Sequence, residues 1–268
     1  MSFLRRPKPA RVAVLGCGPT GLFAVHAFAK LGFPKITILS RRRRSEMFGA
    51  QYLHEPIPGL TGDGHLISYH LWGTPEEYAA KVYGGKVEAA LTSPVNLSGS
   101  HMAYDIRQAY YKAWDLYADR INNIKIQPSM MPDILRNFDI VVSTIPARQL
   151  CADMIGVHQF GVQQVWAVGD APERGIFCPV NVDPWTVICN GAQKRGWYRA
   201  SNVFGYKTAE WPDGTKPPVE NVAAIEKPIG TNCDCWTDNK SFMRAGRYGT
   251  WTKGVLSHQA YSEIMEVY

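Results

Sequence analysis

The residues best suited to chemistry near the start of the chain are three glycines spaced Gly16-x-Gly18-x-x-Gly21. They follow an apolar run, Arg11 to Leu15, and open a helical pattern from Leu22 to Leu31. Strand, tight turn and helix N-terminus in that order make the geometry that receives a dinucleotide pyrophosphate. Gly16 lets the chain turn, Gly18 lets backbone approach a phosphate, and Gly21 lets the helix lie close to its strand. Pro19 and Thr20 stand at the helix start, where orphan N–H groups and the helix dipole favour an anion by roughly 0.3–1 kcal/mol. The second strand, Lys35 to Leu39, should end in an acidic residue that holds the adenosine ribose. Here Ser40 and four arginines, Arg41 to Arg44, follow it. Arginine at that place suits a 2′-phosphate, so NADP stands beside FAD as a reading of the turn.

Two further groups invite chemistry. Cys233-x-Cys235 is a close thiol pair, but it lacks the C-x-x-C spacing and no second close pair accompanies it. The six cysteines (17, 151, 178, 189, 233 and 235) are therefore expected to be reduced thiols, with no metal bound. Trp197-Tyr198-Arg199 and Glu210-Trp211 combine rings with opposite charges. Stacking and cation–π contact there could hold a planar base or sugar, and ordinary cross-strand packing is the competing reading.

The elements that must position these residues follow from periodicity. A strand over 11–15, a helix over 20–32 and a strand over 35–39 form the first unit. A strand is expected near His65 to Trp72. Thr74-Pro75-Glu76-Glu77 opens a helix with a capping residue, proline at its first position and acids in its first turn. Apolar residues recurring at three- and four-residue spacing predict a helix over 103–121, with its aromatics in the core. Gly99-Ser100-His101-Met102, just before it, is assigned no function. Strands are expected at 123–127, 138–144 and 165–169, and the β-formers at 186–189, 197–206 and 222–225 predict an antiparallel layer. Gly246 to Gly249 reads as a turn before a closing helix over 257–268. Val168-Gly169-Asp170 and Gly59-x-x-Gly62-x-Gly64 read as decoys, because prolines or the lack of a preceding strand spoil the fingerprint geometry.

Bulk properties narrow the class. At 268 residues the chain is one large domain or two interleaved ones. No apolar run approaches the ~20 residues needed to span a bilayer, and the basic start lacks a secretory core, so a cytoplasmic protein with no membrane partner is expected. A net charge of +6 is concentrated before the first strand and at Arg41 to Arg44. Those runs flank the end of the sheet where ligands bind, which makes a polyphosphate or nucleic acid an expected attraction.

Several segments together carry a resemblance. Gly16-Cys-Gly-Pro-Thr-Gly-Leu22 resembles the FAD fingerprint more than the NAD one. Asp139-Ile-Val-Val-Ser-Thr-Ile-Pro146 is similar to the apolar strand ending in Thr-x-Pro of the amine-oxidase and UDP-galactopyranose mutase flavoproteins. Arg244-Ala-Gly-Arg-Tyr-Gly-Thr-Trp251 is similar to the C-terminal Gly-Arg-x-Gly segment of the mutase group, and Gly49-Ala-Gln-Tyr-Leu-His54 to the loop beside its flavin ring. The resemblance covers both ends and one middle strand, and leaves roughly 60–135 and 150–240 without a counterpart.

It implies an α/β fold: a Rossmann-like FAD-binding domain (1–60, 136–150 and 241–268) with an interleaved substrate region (61–135 and 151–240) containing helices and an antiparallel sheet. It implies FAD as cofactor, held by Gly16, Gly18, Pro19, Thr20, Gly21, Ser40, Arg41, Arg42, Gly49, Ala50, Gln51, Thr144, Pro146, Gly246, Arg247 and Trp251. His54, from the resemblance, and Arg199, from the aromatic and charged layer of the expected substrate region, are the candidate catalytic residues. The implied reaction oxidises a C–H beside nitrogen on an amine-bearing substrate, and the resulting imine hydrolyses with C–N cleavage. Compact flavoproteins of this look include phage-encoded lyases that trim an amino-acid group on modified thymidine, which would make modified DNA the substrate. No second glycine fingerprint is visible, which favours reduction of the flavin by its substrate over reduction by NAD(P)H. Two alternatives remain open: a UDP-sugar mutase-like flavoenzyme, and a non-enzymatic module that binds NADP or nucleic acid.

Overall fold

The computed structural model describes residues 10–49, 51–83, 97–168, 179–192, 194, 196–215, 217 and 222–268. The chain divides into two compact units: 1–45 with 110–160 and 230–268, and 46–109 with 161–229. These boundaries depart from the expected segments. Residues 46–60 pack in the second unit, and 110–135, 151–160 and 230–240 in the first.

The first unit is built on a parallel sheet. β1 (Arg11–Leu15) lies between β2 (Lys35–Ser40) and β6 (Ile140–Ser143), in the order β12-β6-β1-β2-β5, with β5 at Ile121–Asn123 and β12 at Phe242–Arg244. Val12, Ala13, Val14 and Leu15 are fully buried. A strand covered on both faces reads as a continuous apolar run, which is why period-two alternation is absent here. The crossover helix α1 (Pro19–Lys30) buries Leu22, Phe23, Val25 and Phe28, and the closing helix, α7 (Gln259–Val267), packs against it. His26, buried in α1, meets the Tyr117 hydroxyl at 2.7 Å and stacks on Tyr261.

The second unit carries a seven-stranded mixed sheet in the order β11-β7-β10-β9-β8-β3-β4. Its strands are β3 (His65–Trp72), β4 (Gly99–Ala103), β7 (Phe160–Val168), β8 (Thr186–Asn190), β9 (Arg199–Val203), β10 (Tyr206–Pro212) and β11 (Val222–Thr231). The expected antiparallel layer is present in β8, β9 and β10, and β3 pairs with β8 in parallel. Helix α2 (Pro75–Tyr83) begins as the sequence predicts: the Glu77 N–H donates to the Thr74 hydroxyl at 3.2 Å, and the Thr74 N–H donates to the Glu77 carboxylate at 2.9 Å. That is the reciprocal capping box.

Helix α3 spans Ile106–Tyr117, shorter than the predicted 103–121. Its start is set by Asp105, whose carboxylate accepts from the N–H groups of Arg107 and Gln108, while Met102 and Ala103 are claimed by β4. At its other end, Ile121 to Asn123 pair with β2, and the chain leaves the strand before the expected 127. A short helix, α4 (Met131–Asn137), then leads into β6 and buries Met131 and Ile134 in one core cluster with Val141. The expected strand 197–206 is instead a hairpin. Phe204 and Gly205 both have positive φ, which supplies the two-residue turn matching strand twist.

Candidate functional site

Three separated chain segments meet at the end of β1. Gly16 has φ +109°, a backbone that a side chain disfavours, and its N–H donates to the Leu39 carbonyl. A Cβ on Gly16 would lie 2.6 Å from the Thr144 hydroxyl oxygen, and one on Gly21 would lie 2.2 Å from the Gly16 carbonyl oxygen. Both roles assigned to these glycines, the turn and the close helix approach, are therefore visible as steric facts. Gly18 differs: among the described residues a Cβ there would meet only Ser45 Oγ, at 3.3 Å. The first intrahelical bond runs from Leu22 N–H to the Gly18 carbonyl at 3.0 Å, so the Thr20 and Gly21 N–H groups precede it. Pro19 occupies the first helical position, where its lack of an N–H costs nothing.

The second segment follows β6. Both the N–H and the hydroxyl of Thr144 donate to the Leu15 carbonyl at 2.9 Å, tying the Thr-x-Pro segment to the end of β1. Pro146 precedes the short helix α5 (Ala147–Leu150). The third segment is C-terminal. Ala245 N–H donates to the Ser143 carbonyl, Gly246 (φ +70°) abuts Thr20, and Gly249 lies against the Ser143 backbone. Residues 246–250 form a single-turn helix, α6, where the sequence predicts only a turn. Arg247 is half-buried on it. Trp251 ends it in the left-handed conformation and is fully buried against Phe160, Tyr248 and Arg148. Trp251 thus packs the C-terminal turn.

A cleft of about 950 Å³ opens at the carboxyl ends of β2 and β6. Ser40, Arg41, Ile124, Ile145, Gln149 and Trp236 are among its walls. β1 lies between those two strands in the sheet, but among the described residues those of the glycine turn are not part of the cleft wall. The Ser40 hydroxyl donates to the Arg41 carbonyl, and the Arg42 N–H donates to Asn123. Arg41 and Arg42 are exposed. Arg44 is engaged by Asp115 at 3.4 Å and lies over Tyr111 and Trp114. Tyr110, expected only as core, also supports the turn. Its hydroxyl accepts from Ser45 N–H at 2.9 Å and donates to the Cys17 carbonyl at 3.1 Å.

The remaining expected residues belong to the second unit. Gly49 (φ +74°) donates its N–H to the Val168 carbonyl, and a Cβ on it would lie 2.5 Å from Glu210 Oε1. Exposed Gln51 donates to the Phe48 carbonyl, and its own carbonyl accepts from Arg107. His54 is half-buried beside Tyr52, ring centroids 5.0 Å apart. Ala50, Gly169, Asp170 and Cys178 lie outside the described residues.

Arg199 is part of a buried network. It sits directly across from Glu210, with Nη1 3.5 Å from Oε1, and its Nη2 donates to the Tyr78 hydroxyl at 3.3 Å. Lys227 reaches Glu210 Oε2 at 2.5 Å, and the Tyr198 hydroxyl donates to the same oxygen. Burial opposes ionisation of Glu210, yet Lys227 and Arg199 outweigh it and hold its carboxyl at about 2. Arg199, expected to be catalytic, is half-buried and engaged by the buried Glu210 carboxylate. Lys227 was not singled out from the sequence, since it lies on β11 with no local spacing to betray it. Trp197 and Trp211 are buried in a core cluster with Ile188 and Val168, so the packing reading of these rings holds.

The expectation of no metal rested on the spacing of Cys233-x-Cys235 and on the lack of a second close pair in the sequence; in space, two further potential ligands lie beside it. Cys151 and His158 stand beside Cys233 and Cys235 in the first unit, with their ligand atoms all within 4.8 Å of one another. Among the described residues, no helix is long and apolar enough to cross a membrane.

No family model matches the chain, and no curated protein sequence matches it. Among solved structures the chain is similar to reduced UDP-galactopyranose mutase, at 11% identity and a TM-score of 0.57, over 96% of this chain and 94% of that one. A 2-methyl-3-hydroxypyridine-5-carboxylic acid oxygenase variant follows at 12% identity and a TM-score of 0.48, over 97% and 83%. CtdE in complex with FAD and a substrate shares 11% identity at a TM-score of 0.43, over 96% and 79%. The first likeness shows a shared fold, the Rossmann-like α/β architecture expected from the sequence.

Proposed function

We propose that this chain is an FAD-dependent enzyme whose first unit holds the adenosine and pyrophosphate of the cofactor. The observation that carries the reading is the contact of Gly246 with Thr20, which joins the C-terminal Gly-Arg turn to the glycine fingerprint. The residues fit such a group. Among the described residues only the Ser45 hydroxyl comes near Gly18, where backbone must approach phosphate, and the Thr20 and Gly21 N–H groups lie at the helix start. Ser40 and Arg41 wall the cleft on the side where a ribose belongs. Bound FAD would supply a two-electron acceptor. The chain itself would contribute orientation, exclusion of water and fixed charge.

The finer reading is oxidation of a C–H beside nitrogen, followed by C–N cleavage of an amine-bearing substrate. It rests on the Thr-x-Pro strand and the order of the motifs. The basic run Arg41 to Arg44 supports an anionic polymer, modified DNA, as the carrier of that amine. FAD-loaded protein mixed anaerobically with amines, amino acids and amino-acid-substituted thymidine in oligonucleotides tests this. Bleaching of the visible flavin absorbance with release of the amine fragment is the expected result. An unchanged spectrum with every amine, beside conversion of a UDP-sugar by pre-reduced protein, would overturn it.

A further inference from the structure

The most concentrated unexplained chemistry in the molecule lies between α5 and β12. Cys151 follows α5, His158 precedes β7, and Cys233 and Cys235 sit in the turn before β12. The His158 Nδ1 atom is 3.2 Å from Cys151 Sγ and 3.6 Å from Cys235 Sγ. We propose that Cys151, His158, Cys233 and Cys235 hold a structural zinc ion that ties the loop after α5 to the turn before β12.

The distances suit it. Tetrahedral zinc, with Zn–S about 2.3 Å and Zn–N about 2.0–2.1 Å, places its ligand atoms roughly 3.5–3.8 Å apart. The observed group, with every ligand atom within 4.8 Å of the others, closes to that shape by small side-chain movements. Three thiolates and an imidazole select a soft divalent ion, and four protein ligands leave no open position for substrate. The site is therefore structural.

The surroundings match what a thiolate centre requires. Three thiolates around a divalent ion carry a net negative charge, and Arg244 answers it. Its Nη2 lies 3.4 Å from Cys233 Sγ, and its guanidinium also donates to the Cys233 and Cys235 carbonyls. The Ala152 N–H donates to Cys235 Sγ at 3.4 Å. On the far side of the imidazole, His158 Nε2 is 3.7 Å from the Asp234 carboxylate. Nδ1 faces the sulfurs, and the exposed Asp234 carboxylate lies on the opposite side, just beyond hydrogen-bond reach, where outer-shell partners of metal-bound histidines are found. A disulfide would join only two sulfurs and leave the third, with the imidazole and Arg244, unexplained. Cys151 and Trp236 also wall the cleft, and Trp236 donates to the Leu150 carbonyl at 2.7 Å. The ion would thus stiffen one wall of that cleft.

Full-length protein purified reduced and without chelator should carry about one zinc per chain by elemental analysis. Cobalt(II) added to chelator-stripped protein should give the intense visible bands of a tetrahedral thiolate site, and equimolar zinc should bleach them. Cys235→Ser and His158→Ala should each weaken cobalt affinity at least about tenfold, judged against the 10–100-fold cost of losing even an outer-shell partner. Cys189→Ser, in the core of the second unit, should bind cobalt as the parent does. Native mass spectrometry reads metal on folded charge states, which separates a misfolded variant from a folded one lacking metal. Folded parent protein that takes up neither zinc nor cobalt would overturn the proposal, as would a parent mass lower by two hydrogens that reduction restores. Neither outcome depends on the flavin.

Discussion

Gly246 and Thr20 are in direct contact: a Cβ on Gly246 would lie 2.4 Å from Thr20 Cγ2, and Gly246 itself has φ +70°. The last glycine turn of the chain therefore closes on the first. Gly246→Ala would impose both a disfavoured backbone and a collision at the start of α1. It should cost about 1–3 kcal/mol of stability, read by denaturant unfolding, and should lower bound FAD. Parent-like stability would show that the two turns relax freely around an added methyl.

Gly18 and Gly21 should separate ligand binding from folding. Among the described residues a Cβ at Gly18 would meet only the Ser45 hydroxyl, which can turn aside, whereas one at Gly21 would strike the Gly16 carbonyl oxygen at 2.2 Å. Gly18→Val should leave the melting temperature near that of the parent and weaken FAD binding at least about tenfold, a loss of about 1.4 kcal/mol. Gly21→Val should instead reduce the yield of folded protein. Equal FAD affinity in Gly18→Val and parent would remove Gly18 from the phosphate site.

The buried carboxylate of Glu210 predicts an acid dependence. Its folded pKa, about 2, lies below the usual 4.5, so its stabilisation is complete above about pH 4.5 and is lost as pH falls towards 2. The shift corresponds to something on the order of 3 kcal/mol. Glu210→Gln should remove most of that dependence and destabilise at neutral pH by a similar amount, because Lys227 and Arg199 lose their counter-charge. Unfolding curves between pH 3 and 7 that coincide for parent and variant would contradict this.

Arg41 and Arg42 are exposed at the end of β2, while Arg44 is occupied by Asp115. If DNA is the polymer that carries the substrate, its binding should weaken steeply with salt. The Arg41→Ala, Arg42→Ala double variant should then reduce the slope of log affinity against log salt by about 1.8, or about 0.9 for each phosphate no longer neutralised. An unchanged slope, or no DNA binding by the parent, would remove the support for a nucleic-acid substrate.

Local pattern made much of this fold legible. Val12 to Leu15, Ile36 to Leu39 and Thr74 to Glu77 announced β1, β2 and the α2 cap, because each signal lies within a few residues. Failures arose where partners are distant. The start of α3 moved because β3 recruits Met102 and Ala103 into β4, and the hairpin at Phe204-Gly205 was hidden inside a run of β-formers. In the candidate site, the glycines and Thr144 were legible as motifs. The commitment of Arg199 to Glu210 depended on cross-strand register, and the support of the turn by Tyr110 on a packed helix. Cys151 and His158 come beside Cys233 only after about 80 residues of intervening chain have folded, so no spacing rule could join them.

The most direct test of the central claim is the cofactor content of the purified full-length chain. Visible absorbance, with the released chromophore identified by chromatography after denaturation, reads it without assuming a substrate. Flavin bands that release FAD, or that appear when colourless protein is mixed with FAD, are the predicted result. A folded protein that stays colourless with excess FAD, and binds NADPH instead, would contradict the account.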